Sequence, residues 1–207
     1  NIEGQSRVEN VSFKGQIKSK GGNSVTAGIA GTNAMSLVKR AYVEADIWVK
    51  SGQNAGMLVA QNFTDYSGSG WGNWGKLTQS VAKGKLEDAG SRNSAGIAAS
   101  IWPYGTINDT VSYATVVNGK ELFSSDNEIT DAWMGQKLQN LFGVQGQSSG
   151  TKTGKDAKFR RLTEAEAEQK VKSYRITALE QTSANEVTTE KLNAAILRTS
   201  TYQDKPG

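Results

Sequence analysis

Apolar and polar residues alternate strictly along residues 41–49. Ala41, Val43, Ala45, Ile47 and Val49 fall on one side, and Tyr42, Glu44, Asp46 and Trp48 on the other. Successive side chains of an extended chain point to opposite faces, so the pattern predicts a strand with one buried face. The pattern recurs. Thirty residues upstream, Val8, Val11, Phe13, Gly15 and Ile17 stand where Val38, Ala41, Val43, Ala45 and Ile47 stand, and thirty-nine downstream Leu77, Ser80, Ala82, Gly84 and Leu86 fill the same places. Each copy runs into a small-residue stretch, AGIAG at 27–31, AGMLV at 55–59 and AGIAA at 95–99, read here as a further strand. Gly28, Gly56 and Gly96 lie one place into these stretches, where close backbone approach or a corner would exclude a larger residue. Self-similarity at this period marks a solenoid.

The predicted fold is therefore mainly β, a right-handed parallel β-helix of about three and a half coils over residues 1–125. Its inward columns are Phe13/Val43/Ala82 and Ile17/Ile47/Leu86, and its outward columns Lys14/Glu44/Lys83 and Gln16/Asp46/Lys85. Charge alternates down Lys14, Glu44 and Lys83, as a parallel ladder about 4.8 Å apart favours. A fourth copy starts at Ile107, with Thr110, Ser112, Ala114 and Val116 in register with Ser80, Ala82, Gly84 and Leu86, but no AGI stretch follows NGKELF. There Val111, Tyr113 and Val117 make the opposite face equally apolar, as expected where a cap buries both faces.

Beyond the repeats the pattern predicts helices. Ile129, Trp133, Leu138, Leu141 and Phe142 form an apolar stripe, giving a capping helix over 126–142. Residues 143–158, rich in Gly, Ser and Thr, read as a flexible linker. A helical segment over 159–207 opens with Thr163 as N-cap and Glu166 three places on, a capping box, and a second helix is expected over 188–198 with Leu192, Ala195 and Ile196 buried.

Composition agrees with a narrow interior: 36% hydrophobic residues are few for a globule, while 23 glycines suit a core of small side chains. The net charge of +4 divides into +3 over 1–125 (12 basic, 9 acidic) and +1 over 126–207 (12 basic, 11 acidic), which argues against nucleic acid as partner. The basic run Lys152, Lys155, Lys158, Arg160 and Arg161 reads as a solvated linker. Cys and His are both absent, which excludes disulfides, thiolate or imidazole metal sites and any histidine base. No apolar run reaches the 18 or so residues of a membrane span, and no membrane insertion is expected. The opening NIEGQS is not a signal peptide and leads almost at once into a repeat, so a piece of a longer protein is expected.

Catalytic motifs are not found, and no catalytic or metal residue is assigned. The glycine clusters lack the strand-then-helix context of a phosphate cradle. Glu44 and Asp46 share one strand face and could serve a polysaccharide-acting β-helix enzyme, but Lys14, Lys83 and Lys85 are their expected partners; Glu87 with Asp88 is a weaker pair. The binding candidates are aromatic. Trp48 points outward with Tyr42, Tyr66, Trp71 and Trp74 lie in the glycine-rich insertion 61–76, and Trp102 lies in the excursion SIWPYGT. Exposed aromatics on a repeat surface suit protein or sugar recognition, although the insertion could instead fold back over Trp48. The N-x-S/T positions Asn10, Asn62 and Asn108 matter only in a eukaryotic secretory setting.

The stretch VENVSFKGQIKSKGGNSVTAGIAGTN and its copies, over residues 7 to 123, resemble GLUG-type repeats and are similar to those of the immunoglobulin A1 protease family of streptococcal surface zinc metalloproteases. The resemblance implies a non-catalytic region of a secreted, cell-wall protein, lying between its surface anchor and its protease domain. Zinc would sit in that separate domain on an HExxH motif with no counterpart here, so this region carries no cofactor. The implied partners are immunoglobulin A1 or a similar host glycoprotein and other domains of the same chain. The Trp-rich insertion 61–76 departs from the plain repeat. A stand-alone polysaccharide enzyme and a structural adhesin repeat are the alternatives.

Overall fold

The computed structural model describes residues 6–63, 75–101, 105–123, 138–151 and 159–179. Among the described residues it is mainly β, with strand pairing that is parallel and one α-helix, an arrangement consistent with a β-helix-like fold. The first strand of each repeat is long: β1 (Arg7–Ser19), β4 (Leu37–Val49), then β7 (Lys76–Thr78) with β8 (Val81–Asp88), and β11 (Thr106–Ser112) with β12 (Thr115–Lys120). Shorter second strands β2 (Val25–Ala27), β5 (Gly52–Gly56) and β9 (Ser91–Ala95) pair with one another. Third strands β3 (Ala30–Ala34), β6 (Val59–Phe63) and β10 (Ala98–Ile101) form a separate three-stranded sheet.

The ladder has the register that the sequence offsets predict. Val8 pairs with Val38 and Ile17 with Ile47, Val43 pairs with Ala82 and Ile47 with Leu86, and Ser112 with Ala82 and Val116 with Leu86 continue the columns. The inward residues Val43, Ala82, Ile47 and Leu86 are essentially inaccessible and form one core. Burial of the larger of these side chains, Val43, Ile47 and Leu86, contributes roughly 1.5–3 kcal/mol each.

One step breaks the alternation. Inward residues are two apart along β4 except from Val38 to Ala41, a step of three. The extra residue, Arg40, adopts a left-handed conformation with φ 56°, and its counterparts do likewise: Asn10 at 53°, Gln79 at 50°, Asp109 at 53° and Asn140 at 54°. A left-handed residue turns the pleat so that the buried face continues past the bend, and stacking the bends in register lets neighbouring strands follow one another. Asn and Asp, which tolerate this conformation best, hold three of the five positions.

The small-residue stretches are corners, where the sequence predicts strands. In AGIAG, β2 ends at Ala27, Gly28 and Ile29 turn, and β3 begins at Ala30. The glycines are required by backbone approach: a Cβ on Gly56 would meet the Val59 carbonyl oxygen at 2.0 Å, and one on Gly96 the Glu121 carbonyl oxygen at 2.1 Å. In the fourth repeat Lys120–Phe123 takes the place of AGIA, with Lys120 opposite Ala95, the Ile97 amide bonded to the Leu122 carbonyl and Phe123 bridged to Ala98.

The region after residue 125 differs from its prediction. Leu138–Val144 is a strand, β13, paired with β11 where the end of a capping helix is expected; residues 124–137 lie outside the described residues. The expected linker contributes β14 (Ser149–Thr151), paired with β12, while 152–158 lie outside the described residues. A further strand, β15 (Phe159–Leu162), pairs with β13. Parallel pairing onto the preceding strands thus continues past 125, to Leu162.

The predicted helix over 163 onward is present as α1 (Glu164–Tyr174), with the Thr163/Glu166 capping box formed in both directions, followed by a 3-10 turn at Thr177–Leu179. The expected helix over 188–198 lies outside the described residues. This tail lies against the outer flank of the ladder, from Leu162 in the last strand back to β1, where the Ser12 hydroxyl donates to the Ala178 carbonyl at 3.4 Å. Among the described residues it is this tail that buries the second face of the fourth repeat.

Candidate outer-face site

Four outward columns cross the first-strand ladder, and the tail decides which remain open. The column Ser12/Tyr42/Val81/Val111/Phe142 is apolar from Tyr42 onward. Tyr42, Val81, Val111 and Phe142 are buried with Leu162, Ala167, Tyr174 and Ile176 in a second core. Asp109, at one of the bends, holds the tail: Lys170 Nζ lies 2.7 Å from its carboxylate and the Tyr174 hydroxyl donates to it at 3.3 Å. Burial, reinforced by Asp109, pushes the Tyr174 phenol far above its ordinary pKa. The tail closes at Glu121, whose 1% exposed side chain is gripped by Arg161 Nη1 at 2.7 Å and Nη2 at 2.8 Å and accepts from the Ser148 hydroxyl at 3.0 Å.

Next comes the predicted charge ladder. Glu44 is bridged by Lys14 Nζ at 3.2 Å and Lys83 Nζ at 3.3 Å and accepts from the Tyr42 hydroxyl at 3.0 Å. Partial burial works to raise the Glu44 pKa, but the hydrogen bonds from Lys14, Tyr42 and Lys83 outweigh it and hold the carboxyl below its usual range. A general acid needs the opposite shift, so the arrangement does not favour Glu44 and Asp46 as an acid/base pair.

The open part of the face is built by the last two columns, Gln16/Asp46/Lys85 and Lys18/Trp48/Glu87. Between them lies a shallow depression of about 220 Å³, lined by Gln16, Lys18, Asp46, Trp48, Lys85 and Glu87. Trp48 is 37% exposed, the one large apolar side chain left open among the described residues. Lys85 and Glu87 are committed to each other at 2.6 Å, and this contact raises the Lys85 pKa. Gln16 and Lys18 make no hydrogen bond or ion pair with another described side chain, and Asp46 meets the charge of Lys85 without a hydrogen bond to a described side chain, so all three turn hydrogen-bonding groups to the depression.

Of the sequence-predicted aromatic residues, Trp48 is placed here, while Tyr66, Trp71, Trp74 and Trp102 lie outside the described residues. Both excursions leave the same junction, between the third strand of one repeat and the first strand of the next: the Lys76 amide bonds the Ser36 carbonyl and the Thr106 amide bonds the Gly75 carbonyl. Leu37, paired with Lys76, begins β4 at that junction, and Trp48 stands eleven residues further on. At about 3.3 Å per residue the roots of the excursions are roughly 36 Å of strand away from Trp48. The sequence reading missed Lys18 and Glu87 as Trp48's neighbours, although the offsets of 30 and 39 already align the three.

No family model matches the chain, and neither does any solved structure. Among curated proteins, the zinc metalloprotease ZmpB of Streptococcus pneumoniae serotype 4 (strain ATCC BAA-334 / TIGR4) is 37% identical over 169 residues. The match covers 79% of this chain and 9% of that protein, so the chain spans less than a tenth of the relative's length. Identity of this extent supports a chain related to one region of a zinc metalloprotease.

Proposed function

We propose that this chain is a non-catalytic, substrate-binding and scaffolding region of a secreted, cell-surface bacterial zinc metalloprotease that acts on immunoglobulin A1 or a related host glycoprotein. The observation that carries the reading is Trp48, an aromatic side chain left open on a parallel ladder with polar groups of Gln16, Lys18 and Asp46 beside it. A position on strands holds such an anchor more firmly than a loop does. With neither His nor Cys in 207 residues, zinc and its HExxH ligands belong to another domain of the parent protein. The similarity to a short stretch of a far longer metalloprotease supports a supporting role beside that domain.

On this reading the stacked pairs form a right-handed parallel β-helix of GLUG-type repeats, with the helical tail as its lateral cover. Tyr66, Trp71, Trp74 and Trp102 constitute a second contact region. The test is affinity for immobilised immunoglobulin A1, measured by surface plasmon resonance for the wild type, Trp48→Ala and Trp71→Ala/Trp74→Ala. Loss of at least tenfold in either variant is expected. No detectable binding by the wild type, or equal binding by all three, overturns the proposal.

A further inference from the structure

We infer that the depression at Trp48 is a carbohydrate subsite, which takes the face of one pyranose ring of a glycan on the indole. The inference rests on the preceding reading of this face as a binding surface and specifies its ligand. Its first support is size. About 220 Å³ falls below the roughly 300–1,000 Å³ of pockets for drug-sized ligands and suits a single ring.

The second support is the chemistry of the surround. The core of a protein–protein interface is depleted in charged residues and gathers several apolar anchors. Here Trp48 is the single large apolar group exposed among the described residues, and charged or amide side chains stand about it. Covering Lys18 and Asp46 with an apolar protein surface would strip their hydration without replacing it, which is unfavourable. A sugar has both kinds of surface that the site needs. Its axial C–H groups lie on an aromatic face, whose negative quadrupole attracts their positive edge. Its hydroxyls donate and accept at the ring's edge, where Asp46 offers an acceptor, Lys18 a donor and Gln16 both.

The third support is the state of those groups. Glu44 is engaged by Lys14, Lys83 and Tyr42, and Lys85 by Glu87, whereas Gln16 and Lys18 have no described side-chain partner and Asp46 meets the charge of Lys85 without a hydrogen bond to a described side chain. Trp48 lies between Lys18 on one neighbouring strand and Glu87 on the other, and Asp46 precedes it by two on the same face. The groups are thus held by the ladder register at fixed spacing before any ligand arrives.

The test uses the whole chain and has two arms. In the first, methyl glycosides of galactose, glucose, mannose and N-acetylgalactosamine are titrated while the indole N–H resonance of Trp48, assigned through Trp48→Phe, is followed by NMR. A saturable shift with at least one sugar is expected, with at least tenfold weaker binding in Asp46→Asn/Lys18→Met, whose exposed positions leave the fold intact. In the second, immunoglobulin A1 and its enzymatically deglycosylated form are compared on the same sensor. Loss of Trp48-dependent binding on deglycosylation supports the subsite, as does a sugar-induced shift even if immunoglobulin A1 itself fails to bind. Trp48-dependent binding that survives deglycosylation, with no sugar shifting the resonance, overturns the sugar subsite while leaving the binding function standing. Absence of both responses overturns both.

Discussion

Replacing Arg161 by Met should destabilise the chain by stranding a carboxylate. Glu121 occupies the position that Gly96 holds in the preceding repeat, and its side chain is almost fully enclosed, at 1% exposure. Arg161 grips it through two nitrogens at 2.7 and 2.8 Å, leaving Ser148 as its other partner at 3.0 Å. Removing one member of a buried pair costs about 3–5 kcal/mol, because the remaining charge is neither hydrated nor paired. Arg161 is itself 42% exposed, so water reaches one side of the pair and the low end, about 3 kcal/mol, applies. For a chain of this size each kcal/mol moves Tm by about 2–4 °C, giving an expected fall of about 6–12 °C by calorimetry. The double variant Glu121→Leu/Arg161→Met removes both charges and should recover most of that loss, since an apolar pair of similar volume often replaces a buried ion pair without penalty. A fall under 2 °C for Arg161→Met, or a double variant less stable than either single one, would refute the reasoning.

Three further outcomes are expected. Gly56→Ala sets a methyl against the Val59 carbonyl at 2.0 Å, where backbone cannot yield as a flexible side chain would; destabilisation of at least about 2 kcal/mol in urea unfolding is expected, and less than 0.5 kcal/mol would contradict the corner geometry. Thr163→Ala removes the N-cap of α1 and should cost about 1 kcal/mol, with a matching drop in Tm while β-sheet circular dichroism at low temperature is unchanged. The Glu44 carboxyl is held below its ordinary value of 4.5, so its contribution is fully present above that pH and is lost as pH falls through the lowered pKa. Wild type should therefore exceed Glu44→Gln in Tm at pH 7, and the gap should close on acidification below pH 4.5; a gap that is constant down to pH 2.5 would exclude the linkage.

The repeats were legible because strand side chains alternate with period two and stacked copies must align their buried faces. That logic gave the columns Phe13/Val43/Ala82 and Lys14/Glu44/Lys83 and the bridges on Glu44. It failed at Leu138, Leu141 and Phe142, whose spacing of three and four resembles a helical stripe. The step from Leu138 to Leu141 is the repeat's own bend, matching Val8 to Val11 and Val38 to Ala41, with Asn140 as the left-handed residue. Spacing alone does not separate a helix turn from a strand carrying one extra residue, because both return a side chain to the same face after three. The glycine-rich corners show a related ambiguity: small residues permit close approach, but which backbone approaches depends on the neighbouring repeat.

The sequence by itself determined the period, the register and the inward or outward sense of each first-strand residue, since these follow from local alternation and copy-to-copy offsets. Tertiary structure alone decided which outward residues stay open. Tyr42 and Trp48 are both aromatic, on one strand and on one face, yet the tail from Leu162 to Leu179 buries Tyr42 and leaves Trp48 exposed. No periodicity within β4 encodes that difference, because it depends on where a segment more than a hundred residues later comes to rest. What confines that segment is long-range: Glu121 holding Arg161, Asp109 holding Lys170, and an apolar column that gains more by being covered than the charged columns beside it.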